Sequence, residues 1–255
     1  MQKDQYILSS VSNTLEILDL LNDYDKLSLA QICKLKNMNK ASVFRMLYTL
    51  EKKRYVDKDG TGKYSLNIKF ARFGTKLLDR QNILLIAKPY LETLRNEYNE
   101  TTHLSILSND NNCVIIHKEK STQPMQMSSA IGGEMDIYCS ATGKIITSYL
   151  DKELIEKKLT DLNPIKYTKN TKIDIQSIRN ELKLVALNGF AEDLQERDIG
   201  LTCYAFPIFD INKKCIGAIS ISGKSKNMSN NRGSMLSSLK NMSYQISMKL
   251  GYNKS

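Results

Sequence analysis

The segment "NKASVFRMLYTLEKKRYVDKDGTGKYSL", Asn39 to Leu66, changes its hydrophobic period midway, and that change restricts the folds open to the chain. Successive helical residues turn by about 100°. With Val43 as origin, Leu47 and Leu50 fall in one narrow stripe, and Ala41, Arg45, Tyr48 and Lys52 fall opposite. The stripe is core and the other face is free. Beyond the helix, "YV" and "KYSL" flank "DKDGTG", two short strands with Asp-Gly at the tip, where glycine tolerates the positive φ of a tight hairpin.

Two further helical patterns come first. Leu15, Ile17, Leu18, Leu20 and Leu21 recur at helical spacing between Ser12 and Asn22, and Leu29, Ile32, Cys33 and Leu35 do so between Ser28 and Met38. Ser28 with Gln31 three residues on is a capping-box signature that starts the second helix. The short "NMNKA" connection fits a tight turn into a third helix beginning near Lys40. Three helices and a two-stranded wing make a winged helix-turn-helix domain over residues 1–67.

Charge points the same way. The chain carries a formal net charge of +10, and residues 26–64 hold ten basic residues against three acidic ones. So local a basic footprint neutralises phosphates and releases counterions, which is the sequence-independent part of nucleic-acid affinity. Lys40, Ala41, Ser42, Arg45 and Tyr48 lie along or beside the free face of the third helix, where hydroxyl, guanidinium and aromatic groups reach into a major groove. Arg45 is the first candidate for base contact. Phe44 has two readings, contact with DNA or packing at the helix boundary. Lys58 and Lys63 on the wing would follow a phosphate backbone.

A chain of 255 residues has room for a second, larger domain. Residues 68–80 read as a linker helix with an apolar face, carrying Phe70, Phe73, Leu77 and Leu78, that would pair with its copy in a homodimer. Another helix follows to Asn99, with Gly74 and Pro89 as the breakers of the stretch. Over 81–255 the periodicity then shortens. "THLSILS", "CVIIHKE" and "PMQMSSAI" read as strands, and helices are expected at Ser140–Leu150, Lys152–Leu159 and Asp174–Leu187. "LTCYAFPIF" and "CIGAISIS" form an apolar hairpin, and an amphipathic segment from Asn231 to Leu250 ends the pattern. This is an α+β domain with an antiparallel sheet. The longest apolar run, "NILLIA", is too short to span a bilayer, and the N-terminus has no signal-peptide apolar region, so a cytoplasmic protein without membrane association is expected. Five scattered cysteines and two histidines lack metal-ligand spacing, and neither a disulfide framework, a zinc site nor another cofactor is expected.

In motif order the chain resembles the IclR family of bacterial transcription regulators along essentially its whole length. "NKASVFRMLYTLEKKRYV" with "GKYSL" is similar to the family's recognition helix and wing, "YCSATGKIITSYL" to its glycine-lysine helix start, and "GFAEDLQERDIGLTCYAFPIFDINKKCIGAISISG" to its C-terminal block. The resemblance implies a GAF-like effector-binding domain, operator DNA as partner, a repressor or other regulator working as a homodimer or dimer of dimers, and a small organic or sugar acid that modulates operator binding. In members that bind small keto acids, the matching positions here are Asp193, Cys203, Ser220 and Ser222, with Met127 and the turn of Ala141, Thr142 and Gly143 lining the other side. Ser220 and Ser222 alternate onto one strand face and offer two hydroxyls, and amides at the Thr142–Gly143 helix start favour a carboxylate. Each also has a plain reading: a buried thiol, satisfied strand hydroxyls, a core methionine. The rival class is an enzyme with Cys203 or Cys139 as nucleophile. Both histidines sit in or beside strands, however, and no nucleophile elbow or phosphate loop is present, so no catalytic residue is assigned.

Overall fold

The computed structural model describes residues 6–79, 82–108, 112–123 and 129–253, the side chains of 76–79 and 82 excepted. The chain divides into two compact units, Met1–Arg80 and Gln81–Ser255.

The first unit runs α1 (Ser9–Asp23), β1 (Leu27–Ser28), α2 (Leu29–Lys36), α3 (Lys40–Lys52), β2 (Val56–Lys58), β3 (Lys63–Leu66) and α4 (Lys69–Asp79). The caps explain where the helices start. Ser28 Oγ accepts from the Gln31 N–H at 3.3 Å while Gln31 Oε1 accepts from the Ser28 N–H at 2.8 Å, which is the reciprocal box expected from the sequence. Asn37, in the left-handed conformation, ends α2, and Asn39 Oδ1 caps α3 by accepting from the Ser42 N–H at 2.9 Å. Val43, Leu47 and Leu50 of α3 are buried with Ile17, Leu21, Ile32, Val56 and Tyr64 in one core. Burying each such aliphatic side chain contributes roughly 1.5–3 kcal/mol.

Two details of the wing differ from the sequence reading. It has a third strand, since β1 pairs antiparallel with β3 (Leu27 opposite Tyr64), giving the order β1-β3-β2. The glycine with positive φ is Gly62, at 79°, and not Gly60. The tip is held by a side chain: Asp59 Oδ1 accepts from the N–H groups of Thr61 (2.9 Å) and Lys63 (3.1 Å). Past the wing, Tyr55, Phe70 and Phe73 form a ring cluster, with Lys69 Nζ 3.8 Å from the Tyr55 centroid.

The second unit runs α5 (Asn82–Tyr98), β4 (Thr101–Leu107), β5 (Cys113–Glu119), β6 (Glu134–Met135), α6 (Ala141–Ser148), α7 (Lys152–Asp161), α8 (Ile175–Asn188), β7 (Ala191–Leu194), β8 (Leu201–Phe209), β9 (Cys215–Lys224), α9 (Ser225–Asn230) and α10 (Arg232–Lys249). Six antiparallel strands make one sheet in the order β6-β5-β4-β9-β8-β7. Register decides what each face carries. His103 lies opposite Ser220, Thr101 opposite Ser222, and Ser222 opposite Cys203, which in turn lies opposite Asp193. These small and polar residues therefore share one face, and α6 packs on it through Ala141 and Ile145 against Ala191, Cys203, Ala205 and Ala218. The other face packs against α5 and α10, where Thr102 Oγ1 donates to the Leu91 carbonyl at 3.0 Å and Ser243 Oγ to that of Pro207.

Most elements lie where periodicity put them, but α9 was not expected, and three further details differ. Neither of the two breakers interrupts its helix: Gly74 lies inside α4 and Pro89 inside α5. The strand expected in "PMQMSSAI" falls partly outside the described residues, and Ser129–Ile131 are not in a strand; the pairing partner of β5 is the two-residue β6. β7 is a four-residue strand in "GFAEDL" that was too short to show a period. Among the described residues, no helix is long and apolar enough to cross a membrane.

Candidate nucleic-acid interface and ligand pocket

On the first unit, α3 presents the face expected of it. Lys40, Ala41, Phe44, Arg45 and Tyr48 are exposed and Ser42 is half-buried, its N–H engaged by the Asn39 cap. The Phe44 ring stacks near that of Tyr48 (centroids 6.2 Å apart), and Lys52 Nζ lies 5.3 Å from the Tyr48 centroid. Phe44 is nearly half exposed, at 48 %, so it is not a core residue at a helix boundary. The result is a cationic and aromatic strip on a helix anchored from behind. Lys58 and Lys63 are exposed on the wing, Lys58 lying 5.4 Å from the Tyr64 ring centroid. Asp59, the acid beside them, is held well below the usual carboxylate range by hydrogen bonds from Thr61 first and Lys26 second. Its charge is thereby occupied within the wing.

On the second unit the sheet's polar face and the start of α6 enclose a cavity of about 10 Å³, lined by His103, Ile115, Met135, Ser140, Ala141, Thr142, Cys203 and Ser220. That is room for about one water molecule. Two larger hollows exist, of about 930 Å³ against α10 and β8 and about 450 Å³ beside α8. The second of these is lined by Glu196, whose Oε2 is buried without a hydrogen-bond partner, whereas the small cavity adjoins unmet backbone amides. Ser140 Oγ caps α6 by accepting from the Gly143 N–H at 3.1 Å, whereas the N–H groups of Ala141 and Thr142 find no acceptor among the described residues. The free donors are therefore one position earlier than the Thr142–Gly143 pair expected from sequence. Gly143 serves by its lack of a side chain, because a Cβ there would collide with the Asp136 carbonyl and Ser140 Oγ.

Of the other expected residues, Cys203 and Ser220 line the cavity, while Asp193 and Ser222 lie beside it on the same sheet face. Met127 lies outside the described residues. The Ser222 hydroxyl is buried with no hydrogen-bond partner. Asp193 Oδ1 accepts from the Glu196 N–H at 2.7 Å and more weakly from that of Arg197 at 3.4 Å. Burial, aided by the Glu196 charge, pushes its carboxyl up to about 7. His103 is the residue that sequence reasoning passed over. Thr101, His103 and Ser105 alternate onto one strand face, but only the pairing with β9 reveals what that face meets.

Every residue of α6 is buried, Lys144 included, so that ammonium must be matched internally. Its Nζ donates to Glu196 Oε1 at 2.6 Å, Glu181 Oε1 at 2.7 Å and the Glu192 carbonyl at 2.9 Å. Burial alone would push the lysine down, but the two carboxylates hold it above its ordinary value. The cysteines proposed for the enzymatic alternative are inert by comparison: burial pushes both Cys203 and Cys139 up to about 12. With the His103 imidazole held down to about 3, a thiolate–imidazolium pair at the cavity is strongly disfavoured.

Known proteins match both units. The model of the IclR helix-turn-helix domain matches residues 10–60, and that of the bacterial transcriptional regulator IclR C-terminal region matches residues 75–248. The chain is 33 % identical to an HTH-type transcriptional regulator of Haemophilus influenzae, with 93 % of this chain and 91 % of that protein covered. It is 30 % identical to the DNA-binding transcriptional repressor YiaJ of Escherichia coli, over 95 % of this chain and 88 % of that one. The crystal structure of Thermotoga maritima IclR superposes with a TM-score of 0.78 at 28 % identity, covering 95 % of this chain and 99 % of the other. An IclR homolog from Microbacterium hydrocarbonoxydans, complexed with 4-hydroxybenzoate, shares the fold with a TM-score of 0.83 at 16 % identity, covering 95 % and 99 % of the two chains. The chain belongs to the IclR family of bacterial transcription regulators, with a helix-turn-helix DNA-binding domain followed by the family's α+β C-terminal domain.

Proposed function

We propose that the protein binds a double-stranded operator through α3 and the wing, and that a small organic acid bound beside the start of α6 alters that binding. The observation that carries the ligand half is the cluster of unmet donors around one cavity: the Ala141 and Thr142 amides, with the Ser222 hydroxyl unpartnered on the same sheet face. Buried donors without partners are costly unless something accepts from them, and a carboxylate does so at a helix start. At about 10 Å³ the cavity must enlarge for any such acid, and by less for a compact acid than for a sugar acid. Asp193, Cys203, Ser220 and the Ala141–Gly143 turn would form the effector site, and Lys40, Ala41, Ser42, Phe44, Arg45, Tyr48, Lys58 and Lys63 the DNA surface. The relatives' names as regulators and a repressor, and the 4-hydroxybenzoate in one homolog, support a regulatory and not a catalytic role.

The test pairs two measurements. A site selected from random duplex DNA is titrated with protein, with and without pyruvate, glyoxylate, 2-keto-3-deoxygluconate or 4-hydroxybenzoate, and the same acids are screened by thermal shift. At least one acid should raise the melting temperature and change operator affinity together. An acid that stabilises the protein without moving operator affinity would remove the coupling, and no stabilisation by any of them would remove the acid sensor.

A further inference from the structure

Two of the three acids among residues 26–64 lie on the wing, Asp57 in β2 and Asp59 at the tip, beside Lys58 and Lys63. An acid there repels the phosphates that its neighbours attract, so charge gives it no reason to stand on a DNA-facing hairpin. What each carboxylate touches supplies one. Asp57 Oδ1 accepts from Asn67 Nδ2 at 2.8 Å, just past the end of β3. Asp59 holds more. Besides the N–H groups of Thr61 and Lys63, its Oδ1 accepts from Thr61 Oγ1 at 2.7 Å, and its Oδ2 accepts from Lys26 Nζ at 3.0 Å. Its own N–H donates to the Lys63 carbonyl at 2.9 Å. Lys26 directly precedes β1, whose Ser28 lies opposite Lys63. The Lys63 backbone is therefore fixed from two sides, by β1 and by Asp59, and Asp59 is itself tied to the connection between α1 and α2. An exposed ion pair contributes little to stability, but bonds converging on one carboxylate fix the backbone from which Lys58 and Lys63 project.

We propose that Asp59 is a positioning residue for DNA binding: without touching DNA it holds the wing tip, together with Lys26, in the geometry that sets Lys58 and Lys63 against the phosphate backbone. The proposal rests on the reading above that the wing meets DNA, and its sign is opposite to that of simple charge. Removing an acid from a DNA-facing surface should tighten binding; removing this one should weaken it. The same hydrogen bonds hold the carboxyl well below its usual range, so it is ionised wherever the comparison is made.

The full chain is titrated with the selected operator at several salt concentrations, below the melting temperature that circular dichroism gives for each variant. Asp59→Asn and Asp59→Ala carry the same net charge, so long-range attraction to DNA is equal in the two and a difference between them reports geometry. Asn keeps an Oδ1 for the Thr61 and Lys63 N–H groups and loses the charge pair with Lys26; Ala loses every side-chain bond. Asp59→Ala should weaken operator binding by about fivefold or more and make its logarithmic salt dependence shallower by about one unit of slope, and Asp59→Asn should do less. Lys63→Ala should cost several-fold less affinity in the Asp59→Ala chain than in the wild type, a coupling that a general loss of stability does not produce. Operator binding unchanged or tighter in Asp59→Ala would overturn the proposal, and so would strict additivity of Asp59→Ala with Lys63→Ala. If Lys58→Ala and Lys63→Ala leave the wild-type affinity and salt slope unchanged, the wing contact itself falls and the role of Asp59 with it.

Discussion

Arg45 and Asp193 show how differently single residues can be read. Arg45 is exposed on α3 while Val43 and Leu47, two positions to either side, are buried, so its side chain has little to do in the fold. Arg45→Ala should reduce affinity for the selected operator by about 1–3 kcal/mol in a salt-controlled titration. Urea stability of the first unit should stay within about 0.5 kcal/mol of wild type. Asp193 is buried, and its carboxyl is pushed up to about 7. Between the ordinary carboxylate range and about 7, the folded protein therefore holds a proton that the unfolded chain has released, and stability must fall as pH rises through that window. Asp193→Asn keeps an Oδ1 to accept from the Glu196 and Arg197 N–H groups while discarding the charge. At pH 8 it should be more stable than wild type by about 1–3 kcal/mol, and the difference should vanish near pH 4. The free face holding Arg45 was legible because helical period alone separates it from the core. The carboxyl shift was not, because it depends on enclosure by strands and loops far apart in sequence.

Among the elements, α6 is the one on which most depends. Its first turn carries the unmet amides, its Gly143 admits the Asp136 carbonyl, and its Lys144 ties it to α8 through Glu181 and to the segment after β7 through Glu196. Gly143→Ala should destabilise the second unit by about 1–3 kcal/mol in chemical denaturation, since the clash is with backbone that cannot swing aside. Lys144→Met should cost more, about 3–5 kcal/mol, because it strands the buried Glu196 carboxylate; adding Glu196→Gln should restore part of that loss. The sequence announced this helix from Ser140 to Leu150, but neither its Ser140 cap nor the enclosure of all eight of its residues could be read there. A lysine in an otherwise apolar helix suggests a solvent face. Here three elements close over it. The short strands β1, β6 and β7 escaped for a related reason: two to four residues display no period, and they exist only because neighbouring strands supply hydrogen bonds.

For the whole molecule, the order of helices, wing and α+β domain could be followed from periodicity, and the family match covers both units. What periodicity could not give was the strand order β6-β5-β4-β9-β8-β7, which inserts β9 between β4 and β8 and so brings His103 opposite Ser220. Assembly is open to direct measurement. Tyr6, Ile7, Leu8, Val11 and Leu15 near the start of the chain, and Ile68 and Phe73 near α4, are exposed apolar side chains. We expect light scattering to give the mass of a dimer or of a dimer of dimers, and the selected operator to be an inverted repeat. A monomeric mass with and without DNA would refute this. The enclosure of Lys144 has a consequence outside regulation altogether. Among the described residues it is the one lysine classed as fully buried, with its amine held by three acceptors. An amine-reactive label should modify surface lysines within seconds to minutes and leave Lys144 untouched until the second unit opens, so mass spectrometry of that single peptide becomes a clock for opening, readable in a mixture and without a fluorophore.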